Sequence, residues 1–227
     1  EIEKQLKIGI LNLKKRLDAM INNGDLILIE DGAPVGKTIV VTAVGWEKYT
    51  NNILELLEQY HSKFPIRVGI ARAELRQELD LTPKLFNSII GKLKFDCVVG
   101  DSNKFVSKFG YKPVLTKQQS ETINSYLSEL KQKGYSPSTD IKIEDDILVL
   151  LENQNRVVRI SDSIVYHYDV YKEMVQRIQS HLESFKEISV AEVRDMFKAS
   201  RKYALALMEY LDARQVTKRI GDKRILF

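Results

Sequence analysis

Four times along the chain, two short β-rich runs flank a polar turn. They read "DLILIE…KTIVVTA", "DCVVGDSNKFVSKF", "RVVRISDSIVYH" and "VTKRIGDKRILF". Val98, Val157 and Val216, near the starts of the last three, lie 59 residues apart in both intervals. Such spacing with slight identity is a repeat of pattern, one supersecondary unit used several times. Each hairpin is preceded by helical periodicity. In residues 46–65 the apolar positions Trp46, Tyr49, Ile53, Leu56, Leu57 and Tyr60 recur every three or four residues, and Pro65 follows. "RAELRQEL" is a second short helix. "TPKLFNSIIGKL" is a third, with Thr82 at the N-cap and Pro83 at the first helical position. Three helices and a hairpin predict a winged helix, the helix-turn-helix variant closed by a two-stranded wing.

The last unit repeats this plan. "VYKEMVQRIQSHLESF" is its first helix, and in "SVAEVRDMF" Ser189 and Glu192 are spaced as a capping box. "SRKYALALMEYLDAR" is its third helix, with Ser200 as cap and Tyr203, Ala204, Leu207, Met208 and Leu211 as the apolar stripe. Its wing turns at Gly221-Asp222, where glycine in first place suits a type II′ turn. The expected fold is mainly α with small β-hairpins (α+β), as about four tandem winged-helix domains joined by short linkers. They are assigned to residues 1–45 (partial), 46–111, 112–166 (degenerate) and 167–227. The first lacks its opening helix, so the sequence is expected to be a piece of a longer chain. In the third, Glu144, Asp145 and Asp146 suit a solvated helix start better than a metal site.

Composition narrows the chemistry. Hydrophobic content of 44% and charged content of 29% describe an ordinary soluble globular protein. No apolar run approaches a membrane span. The lone Cys97 precludes an internal disulfide and is expected to be a buried small hydrophobe in a reducing compartment. His61, His167 and His181 lack metal-ligand spacing, so no metal residues are assigned. "GAPVGKT" ends like a phosphate-binding loop, but only three residues separate Gly32 from Gly36. That motif needs four, after a strand and before a helix. Here β-rich runs lie on both sides, so a hairpin loop is expected. Trp46 and the "YHYDVY" cluster around His167 lie where one wing runs into the next helix, and interdomain packing is expected of them. No paired carboxylates, nucleophile–histidine arrangement or glycine-rich cofactor loop appears. No catalytic residue is assigned, and neither enzyme activity nor a cofactor is expected of this segment.

Net charge is +4, and its location matters more than its size. Residues 200–227 hold seven basic groups (Arg201, Lys202, Arg214, Lys218, Arg219, Lys223, Arg224) and three acidic ones (Glu209, Asp212, Asp222). Residues 1–199 hold 28 of each sign. The whole excess therefore sits at one end, where a polyanion would be drawn. The balanced remainder is expected to act as a spacer, so that residues 167–227 alone would bind.

The block Ser200-Arg201-Lys202-Tyr203-Ala204-Leu205, then Glu209-Tyr210-Leu211-Asp212, then Thr217 to Arg224 closely resembles the last winged helix of bacterial selenocysteine-specific translation elongation factors. The match is strong over residues 187–227, and "FPIRVGIARAELRQEL" resembles the start of that family's second winged helix. Family members often carry proline where this chain has Ala206. The resemblance implies the C-terminal arm of such a factor, which grips an mRNA hairpin beside an in-frame UGA codon. It implies, outside this segment, a GTPase body using GTP and Mg2+ that carries selenocysteyl-tRNA to the ribosome in the cytoplasm. A monomer with no membrane partner is expected.

Read together, charge and resemblance assign RNA binding to Ser200, Arg201, Lys202, Tyr203, Thr217, Lys218, Arg219, Gly221, Asp222, Lys223 and Arg224. The helix N-terminus offers free N–H groups and two cations to phosphates. The wing cations would grip the adjoining strand, and Thr217 and Gly221-Asp222 would offer polar contacts to an exposed base. Arg201, Lys202, Lys218, Arg219 and Arg224 are expected on one electropositive surface, although strand alternation turns some wing side chains inward. The alternative is a DNA-binding or scaffold winged-helix array, as in transcription regulators or chromosome-organising subunits. Against it, no long coiled coil or ligand-binding domain is evident, and a scaffold needs no charge gathered at one tip.

Overall fold

A computed structural model describes residues 10–30, 39–102, 104–140 and 143–227. The chain forms two compact units, Glu1–Val114 and Leu115–Phe227. The first begins with α1 (Ile10–Asn22), β1 (Leu26–Glu30) and β2 (Ile39–Thr42), the strands pairing antiparallel with Leu26 opposite Thr42. The segment "GAPVGKT", read as a hairpin loop, lies outside the described residues. Strand β2 runs directly into α2 (Ala43–Lys63), because the Thr42 hydroxyl accepts the Gly45 N–H at 3.1 Å and caps the helix there. Then follow β3 (Ile70–Ala71), α3 (Arg72–Glu78), α4 (Pro83–Phe95), β4 (Val99–Asp101) and β5 (Phe105–Lys108). The strands form an antiparallel sheet in the order β3-β5-β4. Ile53, Leu57, Leu75, Phe86, Ile89, Ile90, Leu93, Val99 and Val106 fill the core between helices and sheet.

The second unit opens with α5 (Lys117–Lys133), whose cap is a Thr116/Gln119 capping box, and α6 (Asp145–Asn153). The hairpin β6 (Val157–Ser161) and β7 (Ile164–His167) follows. Glu144 is the N-cap of α6, with Asp145 and Asp146 in its first turn. These carboxylates therefore sit where the helix dipole favours them. Then come α7 (Tyr168–Phe185), β8 (Ile188–Ser189), α8 (Val190–Phe197), α9 (Arg201–Ala213), β9 (Thr217–Ile220) and β10 (Lys223–Leu226), with sheet order β8-β10-β9. Residues 43–108 and 168–226 thus share one order: helix, short strand, two helices, hairpin. Both are winged helices. The Ser189–Glu192 capping box forms, and Ala204, Leu207, Met208 and Leu211 are buried along α9.

One helix end recurs before every wing. Gly24, Cys97, Asn155 and Gln215 all have positive φ (80°, 56°, 51° and 56°). The next residue's N–H returns to a carbonyl five positions back: Asp25 to Met20, Val98 to Leu93, Arg156 to Leu151 and Val216 to Leu211. This is the left-handed cap that satisfies terminal carbonyls. It corrects two sequence readings. Cys97 is exposed rather than buried, because the cap position turns its side chain outward. The evenly spaced valines are not equivalent either, since Val157 matches Val99 and Thr217 rather than Val98 and Val216.

Within each unit the earlier hairpin lies on the third helix of the later domain: β1 against α4, and β6 against α9. In the second unit the core is shared. Ile164 and Tyr166 of β7 are buried in one cluster with Met174, Ile178, Leu182, Val193, Leu207 and Leu211. Tyr166, from the "YHYDVY" cluster, thus does pack between domains.

Candidate nucleic-acid interface

Helix α9 starts at Ser200, whose backbone is extended (φ −73°, ψ 159°) and whose hydroxyl makes no capping bond. That corrects the expected side-chain cap. Thr82, Thr116 and Ser189 all cap their helices through their side chains. The N–H groups of Tyr203 and Ala204 reach the Ser200 carbonyl at 3.1 and 3.2 Å. Those of Arg201 and Lys202 precede the helix's own ladder, so they face outward beside two exposed cations.

The wing presents its residues by strand alternation. Thr217 faces Leu226 and Arg219 faces Arg224 across the β9–β10 ladder, so the four share one face of the hairpin. On it Thr217 and Arg224 turn in toward α9, while Arg219 at the turn stays exposed. Thr217 is 1% exposed and its hydroxyl donates to Asp212 Oδ1 at 2.6 Å. Arg224 is 2% exposed and its Nε donates to Asp212 Oδ2 at 3.2 Å. Both were expected to meet RNA. Both are instead buried against the last turn of α9, and Arg224 leaves the electropositive surface.

Lys218 and Arg219 remain outside. Lys218 is exposed, and Arg219 donates from Nε to the Gly221 carbonyl at 2.9 Å, folding over the turn. Gly221 has φ +60° whereas Asp222 is not among the positive-φ residues, the type II′ pattern expected. Lys223 is half exposed and pairs with Glu187. The Glu187 hydrogen bond and charge raise its amine above the usual lysine value, so this cation is locally compensated. Among the described residues, Arg201, Lys202 and Lys218 carry no ion pair. Tyr203 is half-buried, its hydroxyl donating to the Pro137 carbonyl at 2.7 Å.

Beyond its first turn, α9 is mostly buried or half-buried. Between Lys202 and the helix end, only Glu209 and Ala213 are exposed. Leu205 and Ala206, on the side an isolated winged helix would leave open, are half-buried, and β6 lies against this helix. Asp212, the residue that organises the wing, was passed over in the sequence as part of a charge balance. A signal was present: a carboxylate in a helix's last turn opposes the dipole and calls for a cationic partner.

Comparisons with known proteins follow the domains. Residues 54–106 and 180–226 match two family models described as elongation factor SelB, winged helix. A selenocysteine-specific elongation factor from Desulfomicrobium baculatum is 29% identical over 183 residues, covering 75% of this chain and 29% of that protein. This chain therefore spans less than a third of that relative. Among solved structures, a bacterial selenocysteine-specific elongation factor EF-Sec aligns at 20% identity and a TM-score of 0.45, over 84% of this chain and 31% of that one. The mRNA-binding domain of elongation factor SelB from E. coli, in complex with SECIS RNA, aligns at 17% identity and a TM-score of 0.39, over 49% of this chain and 98% of that one.

Proposed function

We propose, from the premise that residues 54–106 and 180–226 are winged helices of the elongation factor SelB family, that this chain binds an mRNA hairpin through its last domain. The hairpin is the selenocysteine insertion element next to a UGA codon. Gripping it tethers a selenocysteyl-tRNA-carrying GTPase, belonging to the longer protein, to the translating ribosome. The setting is the cytoplasm, and among the described residues no helix is long and apolar enough to cross a membrane.

One observation carries this reading: Arg201 and Lys202 at one end of α9 and Lys218 on the wing are exposed cations with no ion pair among the described residues, while the flank of α9 is covered by β6. A DNA reader of this fold lays its third helix in the major groove and reads bases from its outer face. Here, beyond the first-turn cations Arg201 and Lys202, the only fully exposed residues of α9 are the acidic Glu209 and the small Ala213, and Leu205 and Ala206 are half-buried. A structured RNA asks for less helix surface. Its deep groove is closed to side chains, and proteins read its backbone, loops and bulges. Ser200, Arg201 and Lys202 at the helix end, with Lys218, Arg219, Gly221 and Asp222 on the wing, suit that task. Lys223 contributes once released from Glu187.

Titrating the chain with a labelled hairpin RNA and with duplex DNA of matched sequence tests the reading. The hairpin should bind at least about tenfold tighter, roughly 1.4 kcal/mol. Equal or tighter binding to the duplex would return the chain to the DNA-binding alternative.

A further inference from the structure

The hydroxyl of Tyr203 lies one residue beyond the two helix-end cations, yet it points away from solvent and into the preceding domain. Its acceptor, the carbonyl of buried Pro137, belongs to the loop after α5. The same loop is held from other sides. Fully buried Tyr166 donates to the Tyr135 carbonyl at 3.2 Å. Arg177 on α7 donates from Nη1 to the Tyr135 hydroxyl at 3.2 Å and from Nη2 to the Met196 carbonyl at 3.0 Å. Its guanidinium sits 4.9 Å from the Phe197 ring centre, and the Tyr135 and Phe197 rings are themselves 4.9 Å apart. Met196 and Phe197 end α8, and the turn Lys198–Ser200 begins α9 immediately afterwards. The bend between the last two helices is therefore braced from behind by residues 135–137.

We infer that Tyr203 is a positioning residue that latches the phosphate-facing end of α9 to the loop at Pro137, and is not itself an RNA contact. This rests on the RNA-binding reading of the same surface. Physically, the first turn of α9 has no side-chain cap to fix it. Lys198 is held in a left-handed conformation (φ 49°), so the bend has a defined shape to maintain. A hydrogen bond to a buried carbonyl fixes the helix's rotation about its axis. That rotation decides where Arg201 and Lys202 point. Removing the hydroxyl strands a buried acceptor, which makes the loss larger than that of an exposed bond. The third domain thereby becomes part of the RNA-binding apparatus without touching RNA.

The experiment uses the full chain with Tyr203→Phe, Tyr166→Phe and the double change. Both substitutions keep the ring and remove one hydroxyl. Tyr203→Phe should weaken hairpin binding about three- to tenfold while leaving the salt dependence unchanged, because no phosphate contact is lost. Tyr166→Phe, whose ring cannot reach RNA, should act in the same direction, and the double change should fall short of the product of the two. Without RNA, hydrogen exchange at the Ala199, Tyr203 and Ala204 amides should quicken in Tyr203→Phe by a similar factor. Unchanged exchange would remove the latch. Weakened binding in Tyr203→Phe alone, multiplicative with Tyr166→Phe, would make Tyr203 a direct contact and also overturn the inference. If the unaltered chain bound no hairpin, the RNA reading would fall, and the exchange measurement would still decide the latch.

Discussion

Arg224 and Asp212 join the wing to the last turn of α9 through a single carboxylate, whose second oxygen accepts the Thr217 hydroxyl. The guanidinium is 2% exposed and the carboxylate side chain 23%, so this is an anchor facing inward from an otherwise basic hairpin. Breaking a buried pair leaves an uncompensated charge, at a cost of about 3 kcal/mol. Arg224→Ala should lower the urea midpoint of the second unit accordingly, and Asp212→Ala should do the same. Binding by the fraction still folded should keep its salt dependence. A variant of normal stability with weakened RNA binding would mean that Arg224 reaches the RNA after all.

The exposed cations behave oppositely. Arg201, Lys202, Lys218 and Arg219 bury no partner, so alanine at each should change stability by no more than about 0.5 kcal/mol. If three to five phosphates are held, log affinity should fall against log salt with a slope of about −2 to −4. Each of these four alanine changes should weaken hairpin binding and reduce that slope by about one. Comparable losses from alanine at Lys14, Lys15 and Arg16, exposed on α1, would put the RNA at the wrong end of the chain.

How far the sequence carried this picture depended on the range of each interaction. Local chemistry was legible. The Thr82 and Ser189 caps, the buried stripe of α9 and the Gly221 turn all follow from residues a few positions apart. Long-range partnership was not. Nothing near Tyr203 announces Pro137, which lies 66 residues earlier. Strand alternation warned that some wing cations turn inward, but it did not say which. That choice was made by Asp212, since a buried arginine settles only where a carboxylate already faces it. Charge counting treated Arg224 and Asp212 as independent contributions to a net value. In space they cancel.

A shared core has consequences for dissection. Ile164 and Tyr166 are buried among residues of α7, α8 and α9, so residues 167–227 would lose two core side chains and expose the surface beneath them. Deleting a large buried side chain costs about 2 to 5 kcal/mol, comparable to a small domain's whole stability. Residues 115–227 should therefore unfold cooperatively and bind the hairpin as the full chain does. Residues 167–227 should melt at least about 10 °C lower, with broadened transitions. A shorter piece of full stability and affinity would restore the simple view of the inner domains as spacers.

The first unit holds a pH-sensitive contact that can be followed separately. His61 on α2 is 7% exposed and lies flat against Tyr111, with ring centres 3.4 Å apart. Its Nε2 accepts the Lys108 N–H at 3.3 Å, a role open only to a ring unprotonated at that nitrogen. Burial, and then the Lys108 charge, hold its pKa below the ordinary histidine value of 6.5. The unfolded chain therefore takes up a proton before the folded one as pH falls. The contribution of His61 to stability is complete above about pH 6.5 and is lost as pH drops toward the folded value. The sole tryptophan, Trp46, packs on the core of this unit, so its fluorescence reports this unit's unfolding. Urea titrations at pH 7.5, 6.5 and 5.5 should show stability falling with acidity, by at most about 1.4 kcal/mol per pH unit from this one group. His61→Phe keeps an aromatic ring against Tyr111 and removes the titration. It should be less stable at pH 7.5, because the Lys108 N–H loses its acceptor, and nearly flat between pH 7.5 and 5.5. The same downward slope in both proteins would assign the pH dependence to other groups.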